Sequence, residues 1–285
     1  MWSKVAMVLE MIKFEHTVFA LPFAFMGCFL AAGGFPPANK LFWIVVAMVG
    51  ARTGAMCFNR LVDAEIDAAN PRTSTRHIPT GKVGKGETWL FVVVSYSVFL
   101  FAAKMLNPLC FKLAPFAVLL VSFYSFTKRF TWASHLVLGL SLSLAPIGAW
   151  IAVRGSLDLP PVLVGLGVAF WVGGFDVLYS LQDLEFDESY GLHSIPRLLG
   201  IERSLWVARG FHLVSVLFFA SVGLVMGLGT FYLLGLIVMG GLLFWEHRLV
   251  SPDDLSKIDV AFFTVNGYLS VAFFVFTALD LMVGG

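Results

Sequence analysis

The stretch LFWIVVAMVGARTGAMCFNRLVDAEID, Leu41 to Asp67, decides the fold. Its first part is apolar and about as long as the 20 residues that cross a bilayer core. It then runs into Asn59, Arg60, Asp63, Glu65 and Asp67. A basic loop follows, ANPRTSTRHIPTGK from Ala69 to Lys82, with Arg72, Arg76 and Lys82. That charge is concentrated in a chain of 285 residues that is 59% hydrophobic and only 13% charged, with mean hydropathy +0.86. A soluble domain is nearer half apolar and a quarter charged. The composition therefore predicts an integral membrane protein, and the carboxylates at the end of a span call for a reason.

Working outward, about nine runs are long and apolar enough to span. They start near Thr17, Leu41, Thr88, Pro108, Thr131, Pro160, Arg203, Gly229 and Asp259. The runs are continuously apolar, whereas barrel strands alternate. The expectation is an all-α, polytopic bundle forming one domain over residues 1–285, around a central cavity open to the cytoplasmic side. The first run shows no small-residue cleavage site and reads as a retained helix. Cys28, Cys57 and Cys110 lie inside apolar runs and read as buried thiols without a disulfide framework.

Nine spans with the N-terminus inside put Lys4, Lys13, Arg60, Arg72, Arg76, Lys82, Lys85, Lys128, Arg129, Arg197, Arg203, Arg248 and Lys257 in inner segments. The outer segments keep only Lys40, Lys104, Lys112 and Arg154. This bias predicts a cytoplasmic N-terminus, in the plasma membrane of a bacterium or archaeon. The same topology puts DVLYSLQDLEFDESYGLHSIP, Asp176 to Pro196, on the face that carries Asp63 and Asp67.

Asp63 and Asp67 are spaced i, i+4 and share one helical face. Carried backwards, that face collects Asn59 and Arg52. Asp176, Tyr179 or Ser180, Asp183 and Asp187 repeat the pattern on span six. Carboxylates sharing a face repel and need a cation. Mg²⁺ suits an all-oxygen set and commonly bridges carboxylates to substrate phosphates; no His or Cys spacing points to zinc. The candidate metal residues are Asn59, Asp63, Asp67, Asp183 and Asp187. Arg72, Arg76 and Lys128, with Tyr124 one turn before Lys128, are suited to phosphate oxygens. The ligand that fits is a lipid diphosphate, its head at the cytoplasmic mouth and its tail in the membrane. The 29 Phe, 8 Trp and 6 Tyr supply lipid-facing bulk and candidates for a tunnel lining.

These motifs, in this order, resemble the UbiA superfamily of intramembrane aromatic prenyltransferases. Asn59-Arg60-Leu61-Val62-Asp63-Ala64-Glu65-Ile66-Asp67 is similar to the family's NDxxDxxxD element, with Arg60 in place of an Asp. YSFTK, Tyr124 to Lys128, matches YxxxK, and Asp183 to Asp187 matches the second DxxxD. FEHTVFALPFAF, from Phe14, and GLHSIP, from Gly191, are similar to the 4-hydroxybenzoate polyprenyltransferase branch of quinone pathways. The resemblance implies Mg²⁺-dependent transfer of a polyprenyl group from an allylic diphosphate to an aromatic acid. Asp63, Asp67, Asp183 and Asp187 would be the catalytic metal carboxylates. Arg72, Tyr124 and Lys128 would bind diphosphate, Arg52 the acceptor's carboxylate, and Asp176 would belong to the substrate site. A menaquinone precursor, of futalosine or dihydroxynaphthoate type, is the alternative acceptor. His16, His77 and His193 are acid–base candidates that read more simply as interfacial or loop residues.

Two rivals stand beside this. A CDP-alcohol phosphotransferase needs a compact DG…AR…G…D…D run, which the sequence lacks. A cation transporter would put its carboxylates near the membrane midplane, whereas these lie at the ends of spans. Nothing in the charge pattern points to nucleic acid.

Overall fold

The computed structural model of the protein describes Glu10 and residues 17–283. Its helices are α1 (Thr17–Ala32), α2 (Ala38–Val62), α3 (Ala64–Ala69), α4 (Lys85–Leu106), α5 (Pro108–Thr127), α6 (Ser134–Arg154), α7 (Leu159–Ser180), α8 (Leu184–Tyr190), α9 (Ile195–Met226), α10 (Thr230–Leu249) and α11 (Asn266–Val283). A 3₁₀ turn over Leu181–Asp183 joins α7 to α8, and a π-helix over Val260–Val265 leads into α11. Among the described residues there is no β-sheet. Among the described residues, eight helical segments are long and apolar enough to cross a membrane, and Ala20–Ala32 is a shorter apolar one. The nine apolar runs of the sequence correspond to these.

Local chemistry sets the boundaries. Pro108 opens α5 where its missing N–H costs nothing, and Asn107 caps it by accepting from Cys110 N at 2.8 Å. The same Asn107 donates to Ile151 O at 2.7 Å and ties this end of α5 to the end of α6. Within α9 the backbone leaves helical geometry at Gly200 (φ 76°, ψ 174°), a conformation that only glycine adopts cheaply. The turn at 195–199 is thereby set at an angle to the long spanning part.

Neighbouring pairs in the bundle are α2 with α4, α6 with α7, α7 with α9, α1 with α6, and α10 with α11. One buried cluster centres on Phe23, Trp171, Phe219 and Phe273, from α1, α7, α9 and α11. A second, around Ile44, Ala103 and Ala149, joins α2, α4 and α6. Residues such as Trp206, Leu213, Leu217 and Leu224 point outward from α9, as apolar side chains facing lipid do. Small residues let helices approach: a Cβ on Gly139 would meet the Ala169 carbonyl oxygen at 2.1 Å.

The two acidic segments share a backbone device that sequence periodicity did not reveal. The spacing predicts Arg52, Asn59, Asp63 and Asp67 on one continuous helix. Instead α2 stops at Val62, Asp63 adopts φ −91°, ψ 4°, and α3 starts afresh. Likewise α7 stops at Ser180, and Asp183 adopts φ −101°, ψ 4° before α8. This bridge conformation is sparsely populated and recurs at active sites. Each pair of carboxylates is therefore split by a helix break, with its first Asp at the joint.

Asp280 on α11 caps a different helix: it accepts from Gly229 N at 2.6 Å and Tyr232 N at 3.1 Å, both at the start of α10. Asp280→Ala would leave the buried Tyr232 N–H and the partly buried Gly229 N–H without their acceptor. We expect a loss of about 1–3 kcal/mol, read as a lower thermal midpoint of the purified protein in detergent. An unchanged midpoint would refute the cap.

Candidate active site

One cavity of about 960 Å³ opens at the end of the bundle where both helix breaks lie. Arg52, Asn59, Asp63, Asp67, Arg72, Tyr124, Lys128, Asp176, Asp183 and Asp187 all line it. The fold thus brings together two motifs widely separated along the chain. The cavity also reaches the opposite end, past Ile44, Leu106, Cys110, Ile151 and Leu157. A polar mouth passes into an apolar interior.

Cations meet the carboxylates at the mouth. Asp63, almost wholly buried, is held by Lys128 Nζ at 2.6 Å and Arg129 Nη2 at 3.1 Å, from the end of α5. Asn59 Nδ2 donates to the same carboxylate at 3.1 Å and to Ser125 Oγ at 3.3 Å. Asp67 accepts from Arg76 Nη1 at 2.6 Å, and Arg60 Nη1 stands 4.0 Å from its other oxygen. Arg72 grips Asp183 through Nε, at 2.9 Å, and Nη2. Asn70 Nδ2 adds a bond to Asp183 at 2.9 Å. Burial works against the Arg72 charge, but the hydrogen bonds and attraction of Asp183 prevail and its pKa is raised. The loop after the first motif therefore clasps the second motif directly, and Arg72 Nη1 also reaches Tyr179 OH at 3.4 Å.

Asp187 is buried beside Ser194 and lies near Lys128 and His135. Asp176 takes a different partner from the others. His135 accepts at Nε2 from Ile195 N (3.2 Å), so its proton sits on Nδ1 and points at Asp176 Oδ2, 2.7 Å away. Asp176 is thus held by a neutral donor, and its side chain keeps 19% of its surface towards the cavity. Sequence reasoning passed over His135, although an ionisable side chain in the first turn of a span is itself a signal. It also treated Arg129 only as an inner-face charge. Of the histidines it named, His193 lines the cavity and anchors its loop by donating from N to Lys128 O at 2.7 Å. His77 stands 3.6 Å from Glu10, and His16 lies outside the described residues.

As placed, no three His, Cys, Asp or Glu side chains among the described residues are grouped closely enough to hold a metal ion. The donor set still suits Mg²⁺. It is all oxygen, and Asp67 Oδ2 is a buried carboxylate oxygen without a hydrogen-bond donor. Arg60, where the motif resemblance has an Asp, adds positive charge next to that oxygen.

Comparison with known proteins identifies the family and the fold. The UbiA prenyltransferase family profile matches residues 20–274. The protein named 4-hydroxybenzoate octaprenyltransferase in Vibrio cholerae is 31% identical over 247 residues, 85% of each chain. The one so named in Aeromonas salmonicida is 31% identical over 255 residues, covering 89% of this chain and 87% of its own. Among solved structures, the apo UbiA homolog of Aeropyrum pernix superposes with TM-score 0.81 at 28% identity, over 95% of this chain and 98% of its own. A UbiA homolog of Archaeoglobus fulgidus bound to GPP and Mg²⁺ shares the fold, with TM-score 0.75 at 20% identity over 96% of this chain and 99% of its own.

The Asp63 ion pair makes a measurable prediction. In a cycle of Asp63→Ala, Lys128→Met and the double variant, the unliganded protein should show a coupling of about 1–3 kcal/mol, because Lys128→Met takes the closest cation from the buried Asp63 and Asp63→Ala leaves the half-buried Lys128 without its carboxylate. Additive stabilities would contradict the pairing.

Proposed function

Because the chain belongs to the UbiA prenyltransferase family, we propose that it transfers a polyprenyl group from an allylic diphosphate to an aromatic acid of the 4-hydroxybenzoate class, in quinone biosynthesis. The observation that carries this reading is the single cavity, cationic and carboxylate-rich at its mouth and apolar at its far end. A lipid diphosphate has that same division. We further propose that the mouth faces the cytoplasm, on the strength of the Lys and Arg bias.

The donor's diphosphate enters among Arg72, Arg76, Lys128 and Tyr124. The three cations trade part of their hold on the carboxylates for phosphate oxygens. Asp63, Asp67, Asp183 and Asp187, with Asn59, hold Mg²⁺, which when bound offsets the charge gathering on the leaving group. Arg and Lys donors stabilise the same charge. The allylic C–O bond breaks and its electron pair departs on the diphosphate. A ring carbon of the acceptor then bonds to the allylic carbon. Arg52, about three turns before Asp63 on α2, binds the acceptor's carboxylate. The ring carbon must lose its proton to restore aromaticity, and Asp176 receives it. Asp63, Asp67 and Asp183 are engaged by cations, whereas Asp176 is held by a neutral imidazole N–H.

The reading is tested with purified protein, Mg²⁺, labelled geranyl diphosphate and 4-hydroxybenzoate. A prenylated acid should form in the wild type and vanish with EDTA or Asp183→Ala. Product with a dihydroxynaphthoate and none with 4-hydroxybenzoate would keep the chemistry and replace the acceptor. No product with any aromatic acid from intact protein would overturn the reading. Arg52→Ala should raise KM for the acid by about tenfold or more, the scale of a lost charged hydrogen bond, and leave the donor's KM nearly unchanged. A defect confined to the donor would remove Arg52 from the acceptor site.

A further inference from the structure

We propose that Asn266 is a positioning residue, fixed by Glu246 and Trp171, that holds an aromatic wall of the cavity closed against water. The proposal rests on the prenyl-transfer reading and adds to it a device that steers the allylic cation to the acceptor.

The starting point is the π-helix over Val260–Val265, immediately before Asn266. Such a turn is rare, has poorer backbone bonding than an α-helix, and commonly marks a functional position. Here a side chain secures it from behind. Asn266 Nδ2 donates to Ala261 O at 3.0 Å and Phe262 O at 3.2 Å, inside the π turn itself, and to Glu246 Oε1 on α10 at 2.8 Å. Asn266 Oδ1 accepts from Trp171 Nε1 on α7 at 2.7 Å. Asn266, Glu246 and Trp171 are each 0% exposed. Polar groups are costly to bury in a membrane bundle, and an apolar trio would fill the same space. What the polar trio adds is a fixed backbone at residues 261 and 262.

That backbone carries the wall. The Phe262 ring lies 4.1 Å from Tyr179 at 31° and 5.2 Å from Phe175 at 89°. Phe263 meets Tyr179 at 5.9 Å, edge-on at 77°. All four rings line the cavity. Tyr179 also touches Arg72, whose guanidinium carbon is 5.4 Å from the ring centroid. Trp171 completes the connection, edge-on to Phe175 at 5.0 Å. So a network outside the cavity fixes the rings next to the cation that binds the leaving group. Aromatic faces tolerate an adjacent cation and exclude water.

Once the allylic C–O bond has broken, two nucleophiles compete for the cation. Attack by the acceptor ring gives prenylated acid after loss of a proton. Attack by water at the same carbon, with loss of a proton to buffer, gives the free prenyl alcohol. A loosened wall shifts this partition towards alcohol, and a purely structural residue would not move it.

The experiment uses full-length protein in detergent with Mg²⁺, labelled geranyl diphosphate and a saturating aromatic acid, and counts alcohol against prenylated acid. Asn266→Ala, shown to be monodisperse, should raise the alcohol fraction by about threefold or more through lost water exclusion, with total diphosphate consumption much less affected. Trp171→Phe, which removes the N–H together with the pyrrole half of the indole, should move it the same way, and Phe262→Leu should do so directly. Wild-type partition in folded Asn266→Ala overturns the proposal. If that variant does not fold, wild-type partition in both Trp171→Phe and Phe262→Leu overturns it instead. Failure of the wild type to consume the diphosphate at all would instead fault the prenyl-transfer reading.

Discussion

Carboxylates gathered at the mouth of a membrane bundle cannot be left to repel one another, and the rest of the site follows from how they are compensated. Bringing a charged group out of water is expensive, and the cost is recovered only by close opposite charge and hydrogen bonds. Here Lys128 and Arg129 serve Asp63, Arg76 serves Asp67, and Arg72 serves Asp183. These contacts join the end of α5, the loop after α3 and the α7–α8 joint into one structure. The groups that offset the carboxylates are also the groups suited to a diphosphate. On the proposed function, compensation in the resting protein and binding of the donor would use the same side chains.

The helix breaks would make that exchange possible. An unbroken helix through Asp63 would present its carboxylates as a rigid stripe. A joint at each first Asp turns Asp63 towards α5 while Asp67 turns towards Arg76. The same joint at Asp183 lets the loop carrying Arg72 close over it. Below this polar layer the cavity is apolar, so the polyprenyl tail of the proposed donor would gain by burial as its head is bound.

The bundle was legible in the sequence because hydrocarbon thickness dictates span length and leaves long apolar runs. The candidate site was legible as far as charge in an apolar chain is conspicuous: Asp63, Asp67, Asp176, Asp183, Asp187, Arg72, Lys128 and Arg52 stand out by type alone, and all line one cavity. What stayed hidden depended on tertiary geometry. Nothing local distinguishes Asp63 as a helix terminus, because neither Gly nor Pro marks the break. His135 acquires its role only through Asp176 on a neighbouring helix and a backbone N–H at the start of α9. Asn266 looks like an ordinary polar residue in a span until the π turn before it is seen.

On the proposed function, donor binding redistributes the cations from carboxylates to diphosphate. The most direct measurement is a structure of the protein with Mg²⁺ and a non-reactive allylic thiodiphosphate, read at the Arg72–Asp183 and Lys128–Asp63 pairs. Both pairs should open, with Arg72 and Lys128 on phosphate oxygens and the carboxylates on Mg²⁺. Both ion pairs intact beside a fully bound donor would contradict it.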